Sequence, residues 1–362
     1  MMAETEMNIN SQFFEGVEKL LEIWFTRADG NLKQCDLRKI PRQQWENMLK
    51  IVHCEIISFV SNDRVDAYVL SESSMFVSRR RFILKTCGTT TPLQCLEPLL
   101  MLVKQYAGFN EVEDVFYSRK NFKRPDLQKH PYCSFEEEVS FLDNFFDDGE
   151  GYIMGDCTSN DCWYLYTLTP PNNKLSCRQL SNNAASSDPD QTLEVLMTDL
   201  DPKVMSIFTR LESSSAAEAT KNSGIAKIIP NMVIDDYLFE PCGYSMNGIS
   251  KNGDPEPPAG YYMTIHITPE PEYSYVSFET NVPQASYKDI VSRVIDTFKP
   301  GNVVVTIFAN KASQTQPGGA TAHARGLEKW LGSSGELHRQ EVKCCQLKNY
   351  DLSFAVYTKF PS

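Results

Sequence analysis

Between Tyr68 and Thr90 the chain reads YVLSESSMFVSRRRFILKTCGTT, which sets hydroxyls, a carboxylate and a thiol among short apolar runs. Apolar and polar residues alternate from Ala67 to Val77 as in a half-buried strand, but Ser71, Glu72, Ser73 and Ser74 interrupt that alternation. The pattern predicts a second strand over Phe82–Cys87, after a basic, solvated turn of Arg79, Arg80 and Arg81. Two such strands side by side could do nucleophilic or acid–base chemistry once a base reaches them from elsewhere in the fold. Serine clusters also occur at strand ends with no chemistry, and a strand cysteine is commonly an inert buried thiol, so the stretch alone leaves both readings open.

Two acidic sets stand apart from it. Glu15, Glu18 and Glu22 recur at steps of three and four beside Phe13, Val17, Leu20, Leu21 and Trp24, which predicts an amphipathic helix with an acidic ridge facing water. In DQTLE, Asp190, Thr192 and Glu194 would share one face of a strand. Carboxylates converging in an interior are costly unless a cation joins them; a solvent-exposed strand edge is the other reading. No metal is expected: Cys157 and Cys162 are five apart, Cys344 and Cys345 are adjacent, and no CxxC pair supports zinc.

The elements that would carry these groups follow from the pattern. A helix through Trp45 leads to a strand at Glu55–Val60 and then to the Tyr68–Cys87 stretch; Thr91-Pro92 starts a helix that runs to Gly108. A strand near Val112–Arg119 is followed by a helix opened by the capping box of Ser134 and Glu137, then by strands at Tyr152–Gly155 and Trp163–Leu168. The polar run at 170–189 marks a boundary. Beyond it strands are expected at Thr192–Met197, Val233–Leu238, Tyr262–Thr268, Tyr273–Thr280 and Val303–Ala309, with helices at Pro202–Phe208 and Tyr287–Phe298 and a soft stretch at Glu212–Asn222. The order strand, strand, helix, strand from Tyr68 to Arg119 returns from Tyr262 to Ala309, and short connections suggest an α+β fold of antiparallel sheets covered by helices.

With 362 residues, 41% of them hydrophobic, the chain can bury a sizeable core as one large domain or two. A net charge of −12 works against binding nucleic acid and favours a cationic ligand. Eleven cysteines, few for this length and odd in number, suggest a reducing compartment, with cytosol the expectation. The acidic start to residue 12 reads as a disordered leader, and no apolar run is long enough for a membrane span.

The Tyr68–Thr90 stretch, FEPCGYSMNG at Phe239–Gly248 and TIHITPEPEYSYVSFETN at Thr264–Asn281 together resemble the eukaryotic, animal-type S-adenosylmethionine decarboxylases, the pyruvoyl enzymes of spermidine and spermine synthesis. The resemblance runs from about Phe13 to Phe308. It implies a four-layer α/β/β/α sandwich of two similar halves, 13–169 and 190–362 joined by 170–189, usually paired as a homodimer. It also implies self-cleavage between Glu72 and Ser73 into a β chain of residues 1–72 and an α chain of residues 73–362.

A decarboxylase must park the electron pair left by carbon dioxide, which no ordinary side chain can take and an imine to a carbonyl can. What the resemblance implies is that Ser73 attacks the Glu72 carbonyl, Ser245 hydrogen-bonds that carbonyl or the intermediate, and His266 removes the α-proton, leaving a pyruvoyl group from Ser73 that binds substrate as a Schiff base. Cys87 would then be the proton donor. Phe14 and Phe239 would sandwich adenine, Glu270 hold the ribose, backbone groups of Glu72 read the base edge, and Glu15 and Glu18 stand beside the sulfonium. Glu22, Asp190, Thr192, Glu194 and Glu279, walled by Phe116 and Phe308, would bind putrescine as an activator. Two rivals remain: a catalytically silent regulatory paralogue, and a cysteine hydrolase built on Cys87 and His266.

Overall fold

A computed structural model describes residues 13–156, 161–169, 189–253, 260–313 and 337–359. The predicted leader and nearly all of the predicted linker lie outside these residues. The first half comprises β1 (Lys19–Thr26), α1 (Arg42–Ile51), β2 (Ile56–Ser61), β3 (Val65–Leu70), β4 (Ser73–Ser78), β5 (Arg81–Thr86), α2 (Leu96–Leu102), β6 (Glu111–Lys120), α3 (Phe135–Leu142), β7 (Gly149–Asp156) and β8 (Asp161–Leu168). The second comprises β9 (Gln191–Thr198), α4 (Pro202–Ser206), α5 (Ala216–Ser223), β10 (Met232–Leu238), β11 (Tyr244–Ser250), β12 (Tyr262–Thr268), β13 (Tyr275–Thr280), α6 (Lys288–Phe298), β14 (Asn302–Asn310), β15 (Leu337–Gln346) and β16 (Tyr350–Lys359).

Each half is one eight-stranded sheet, β2-β3-β4-β5-β1-β6-β8-β7 and β10-β11-β12-β13-β9-β14-β16-β15, so the second repeats the topology of the first strand for strand. Neighbouring strands are antiparallel in both sheets. Trp45, Leu49, Leu99 and Leu142 from the helices pack on one face of the first sheet, and Ala219, Ile290 and Val294 on one face of the second. The other faces meet through Leu20, Phe76, Ile83, Ile249 and Tyr262, and the Phe76 and Tyr262 ring centroids lie 4.4 Å apart. The molecule is therefore an α+β sandwich of two similar halves, layered helix, sheet, sheet, helix.

Three sequence expectations change. The predicted helix from Phe13 is instead an extended lead-in followed by β1, which lies between β5 and β6 and is buried on both faces. A strand covered on both sides shows no clean alternation, and its apolar residues fell by chance on a helical spacing. The interrupted strand from Ala67 to Val77 is two strands, β3 and β4, turned at Ser71-Glu72. Arg81 is no solvated turn residue: it is buried on β5 and ion-paired. Strands β11, β15 and β16 were not predicted, and the soft stretch at 212–222 holds all but the last residue of α5, whose N-cap Ser215 accepts a hydrogen bond from the Glu218 backbone N–H.

Candidate active site

Ser73 opens β4 just after the two-residue turn, and its backbone has φ of +130°, a region that side chains other than glycine enter at a cost of about 1–3 kcal/mol. Its hydroxyl is buried and donates to Glu18 Oε1 at 2.6 Å. The Glu72 carbonyl accepts from the Cys87 N–H at 3.1 Å and from the Cys87 thiol at 3.5 Å. The turn thus presents a peptide bond beside a strained Ser73 backbone, with two donors on its carbonyl and a neighbouring hydroxyl that already rests on an acceptor.

Glu18 holds this arrangement from β1's lead-in. Gly16 lets that lead-in approach β12, since a Cβ there would lie 2.5 Å from Thr268 Oγ1. Glu18 Oε1 also meets His266 Nδ1 at 2.6 Å, and Oε2 lies 3.5 Å from Lys85 Nζ. Burial opposes charge on Glu18, but Lys85 and His266 outweigh it and hold the carboxyl well below the usual carboxylate range. The other ring nitrogen of His266 faces Ser74 Oγ at 2.8 Å and Thr264 Oγ1 at 3.2 Å, and Ser74 in turn donates to Asn247. Ser245 sits opposite His266 in the β11–β12 register, whereas the donors on the Glu72 carbonyl belong to Cys87. Burial, reinforced by the charge of Glu18, pushes the Cys87 thiol well up and keeps it protonated, and that thiol meets the Glu72 carbonyl whereas the His266 ring meets Glu18 and Ser74, an arrangement that does not build a cysteine–histidine pair.

Beside the turn a cavity of about 310 Å³ is lined by Phe14, Glu15, Glu72, Gly88 and Gln128. Gly88 has φ of +63°, and a Cβ there would sit 3.0 Å from the Phe14 ring. Glu15 accepts from the backbone N–H of Arg124 at 3.0 Å; its burial raises its pKa in spite of that bond. Glu18 does not line this cavity and faces the space between the sheets. Phe239 lies against Tyr237, with ring centroids 4.8 Å apart, and its N–H bonds the Gly243 carbonyl. Glu270 carries a buried Oε2 with no hydrogen-bond partner among the described residues.

The second acidic set is interior, not a strand edge. Glu22, Asp190, Thr192, Glu194 and Glu279 line one small space between the sheets with Phe116, Phe308 and Tyr350, and the Phe116 and Phe308 rings stand edge to face at 5.3 Å. Lys85 bonds Glu279 at 3.0 Å and Glu194 at 3.2 Å, which ties this space to Glu18 and so to Ser73. Arg81 bonds Glu22 at 2.7 Å and Thr192 at 3.0 Å, and Tyr350 donates to Asp190. Burial pushes Glu194 up to about 7 although Lys85 opposes it. Lys85, Arg81, Ser74 and Tyr350 were missed in the sequence; Arg81, Ile83 and Lys85 do alternate along β5, but nothing marked that strand as facing a second sheet. Among the described residues no group of His, Cys, Asp and Glu is placed to hold a metal, and no helix is long and apolar enough to cross a membrane.

Residues 11–358 match the family model described as adenosylmethionine decarboxylase. The chain is 51% identical over 349 residues to the S-adenosylmethionine decarboxylase proenzyme of Drosophila melanogaster, covering 96% of each, and 52% identical over 304 residues to that of Xenopus laevis, covering 84% of this chain and 85% of the relative. Its fold is shared with the Trypanosoma brucei AdoMetDC-delta26 monomer, known from a crystal structure, at a TM-score of 0.55 and 23% identity over 79% of this chain and 99% of that one. On the match along nearly its whole length, the chain belongs to the adenosylmethionine decarboxylase family.

Proposed function

We propose that this chain cuts itself between Glu72 and Ser73 and then decarboxylates S-adenosylmethionine, feeding polyamine synthesis. The observation that carries this reading is the Ser71-Glu72 turn: a strained Ser73 whose hydroxyl donates to an ionised Glu18, next to a Glu72 carbonyl held by the Cys87 N–H and thiol. Glu18 takes the hydroxyl proton as Ser73 Oγ adds to the Glu72 carbonyl, and the Cys87 donors stabilise the oxygen that gains charge. The amide becomes an ester; removal of the Ser73 α-proton then splits the ester by β-elimination, with His266, which stands on Glu18 and Ser74, the base at hand.

β-Elimination leaves a dehydroalanine at residue 73, which water hydrolyses with release of ammonia to a pyruvoyl group, and this supplies the carbonyl electron sink that amino-acid side chains lack. The residues around it fit that group: Ser73 is fully enclosed, the Cys87 thiol is kept protonated and can return a proton, and Phe14 and Glu15 line a cavity large enough for part of a nucleoside ligand. Phe14 and Phe239 stack adenine, Glu270 takes ribose hydroxyls, and Glu72 reads the base edge in this reading.

Putrescine is the cation that the inner acidic space serves. Five buried or half-buried carboxylates, Glu18, Glu22, Asp190, Glu194 and Glu279, face two permanent cations, Lys85 and Arg81. That excess of negative charge favours a diamine. The free space is about 20 Å³, room for about one water, so the diamine enters as Phe116, Phe308 or Tyr350 moves aside.

Denaturing electrophoresis and intact mass test the reading. Two fragments split after Glu72, a blocked amino end on the larger, and carbon dioxide from carboxyl-labelled S-adenosylmethionine are expected. A chain that stays whole supports the silent paralogue, and cleavage that leaves a free serine amine refutes the pyruvoyl assignment. Loss of putrescine stimulation in Asp190→Ala is expected; an unchanged response overturns the diamine site.

A further inference from the structure

Gln128 follows a short turn at Pro125–Leu127 and is only 6% exposed, yet its side-chain Nε2 has no hydrogen-bond partner among the described residues. It lines the same cavity as Glu72 and Gly88, the neighbours of Ser73 and Cys87. A buried amide left unpaired is costly unless a ligand completes it.

The orientation of this amide is set from behind. Lys19 Nζ donates to Gln128 Oε1 at 3.2 Å and to the Gly88 carbonyl at 2.8 Å, and it lies over the rings of Phe122 and Tyr132 at 5.2 and 5.1 Å. Burial pulls the ammonium down to about 8, which leaves it mostly charged at neutral pH, when it can only donate. The oxygen of Gln128 must therefore face Lys19, and its NH2 group must face away. A fully buried lysine among aromatic rings, with no carboxylate at ion-pair distance among the described residues, is thus spent on fixing one amide and one loop carbonyl.

Resting on the proposed decarboxylation, we infer that Gln128 is a specificity residue that donates to the carboxylate of S-adenosylmethionine, with Lys19 as the residue that positions it. Of the cavity's other polar side chains, Glu15 and Glu72 are acids and would repel a carboxylate, and His53 and Lys129 are exposed at its edge, whereas the buried, oriented NH2 group of Gln128 backed by a cation would receive it. Gln128 would thus distinguish substrate from product, which lacks this carboxylate.

The test uses the full chain carrying Ser73→Ala, which keeps the cavity and cannot turn over, and calorimetric binding of S-adenosylmethionine and of its decarboxylated product. Gln128→Leu should weaken substrate binding roughly 10- to 100-fold and leave product binding within threefold. Gln128→Glu, which still accepts from Lys19, should weaken substrate further and not weaken product. Equal weakening of both ligands, or no weakening of substrate in either variant, overturns the inference. In the self-cleaving chain the same variants should raise KM for substrate with cleavage retained. Failure of the unsubstituted chain to release carbon dioxide would instead count against the decarboxylation itself.

Discussion

Replacing Glu18 by glutamine removes a charge and a proton acceptor while keeping the size of the side chain. In the structure Glu18 Oε1 takes the Ser73 hydroxyl and the His266 ring at 2.6 Å each, so the substitution deprives the attacking oxygen of its base and the histidine of its anchor. Loss of a positioned base slows proton transfer by about 10²–10⁴-fold. Lys85 keeps Glu194 and Glu279 as partners, so the variant strands no buried cation and should fold. Self-cleavage of freshly translated chain, followed on a denaturing gel as loss of the 41.1 kDa species, should slow by at least about 100-fold at pH 7.5. The acid side gives a second readout. The carboxyl of Glu18 is depressed in the folded chain, so its contribution to stability is present above the ordinary glutamate range and is lost only as pH falls through its much lower folded value. Glu18 should thus remain ionised down to pH 5. Cleavage of Glu18→Gln within threefold of the unsubstituted rate, in chain with an unchanged circular dichroism spectrum, would refute the role of Glu18 as the base.

Other outcomes follow from the same contacts. Ser73→Ala and Ser73→Gly both remain whole; because only glycine accepts φ of +130° freely, the glycine variant should be more stable by about 1 kcal/mol, and equal melting temperatures would show the turn to be unstrained. Lys85→Met leaves Glu18, Glu194 and Glu279 without their shared cation and should cost about 3–5 kcal/mol in denaturant melts; a cost under about 1 kcal/mol would mean that the carboxylates take up protons at no penalty. Glu194, raised to about 7, is protonated on the acid side and must release its proton to meet a diamine. Putrescine affinity should accordingly rise from pH 6 to pH 8, by up to about tenfold per unit below that value, and calorimetry in two buffers should show proton release; a flat profile would place the diamine elsewhere.

The two-half architecture was legible because β12, β13, α6 and β14 repeat the order of β4, β5, α2 and β6, and the capping box at Ser134 and Glu137 marked the start of α3 as the structure has it. The acidic positions survived a wrong secondary structure for a geometric reason. Residues four apart share a side in a helix and in a strand alike, so Glu18 and Glu22 stay together on β1 and its lead-in, while Glu15 turns to the cavity. What the sequence could not show was the second sheet lying over the first. Arg81 and Lys85 look like surface cations until Glu22, Glu194 and Glu279 arrive from other strands, more than 100 residues away for the last two. β11 escaped notice because Ser245, Asn247 and Gly248 interrupt its apolar pattern; of these, Asn247 takes the Ser74 hydroxyl hydrogen and Ser245 stands opposite His266.

Strand β1 lies between β5 and β6, and β3 lies beside β4. A break after Glu72 would put β1, β2 and β3 on one polypeptide and all other strands on the other, so the shorter piece would be woven into the middle of its partner's sheet. Scission at that turn removes one covalent link and no ladder. The two products should travel as a single particle through gel filtration and come apart only in denaturant, and refolding them as separate peptides should fail, because the first sheet needs strands from both.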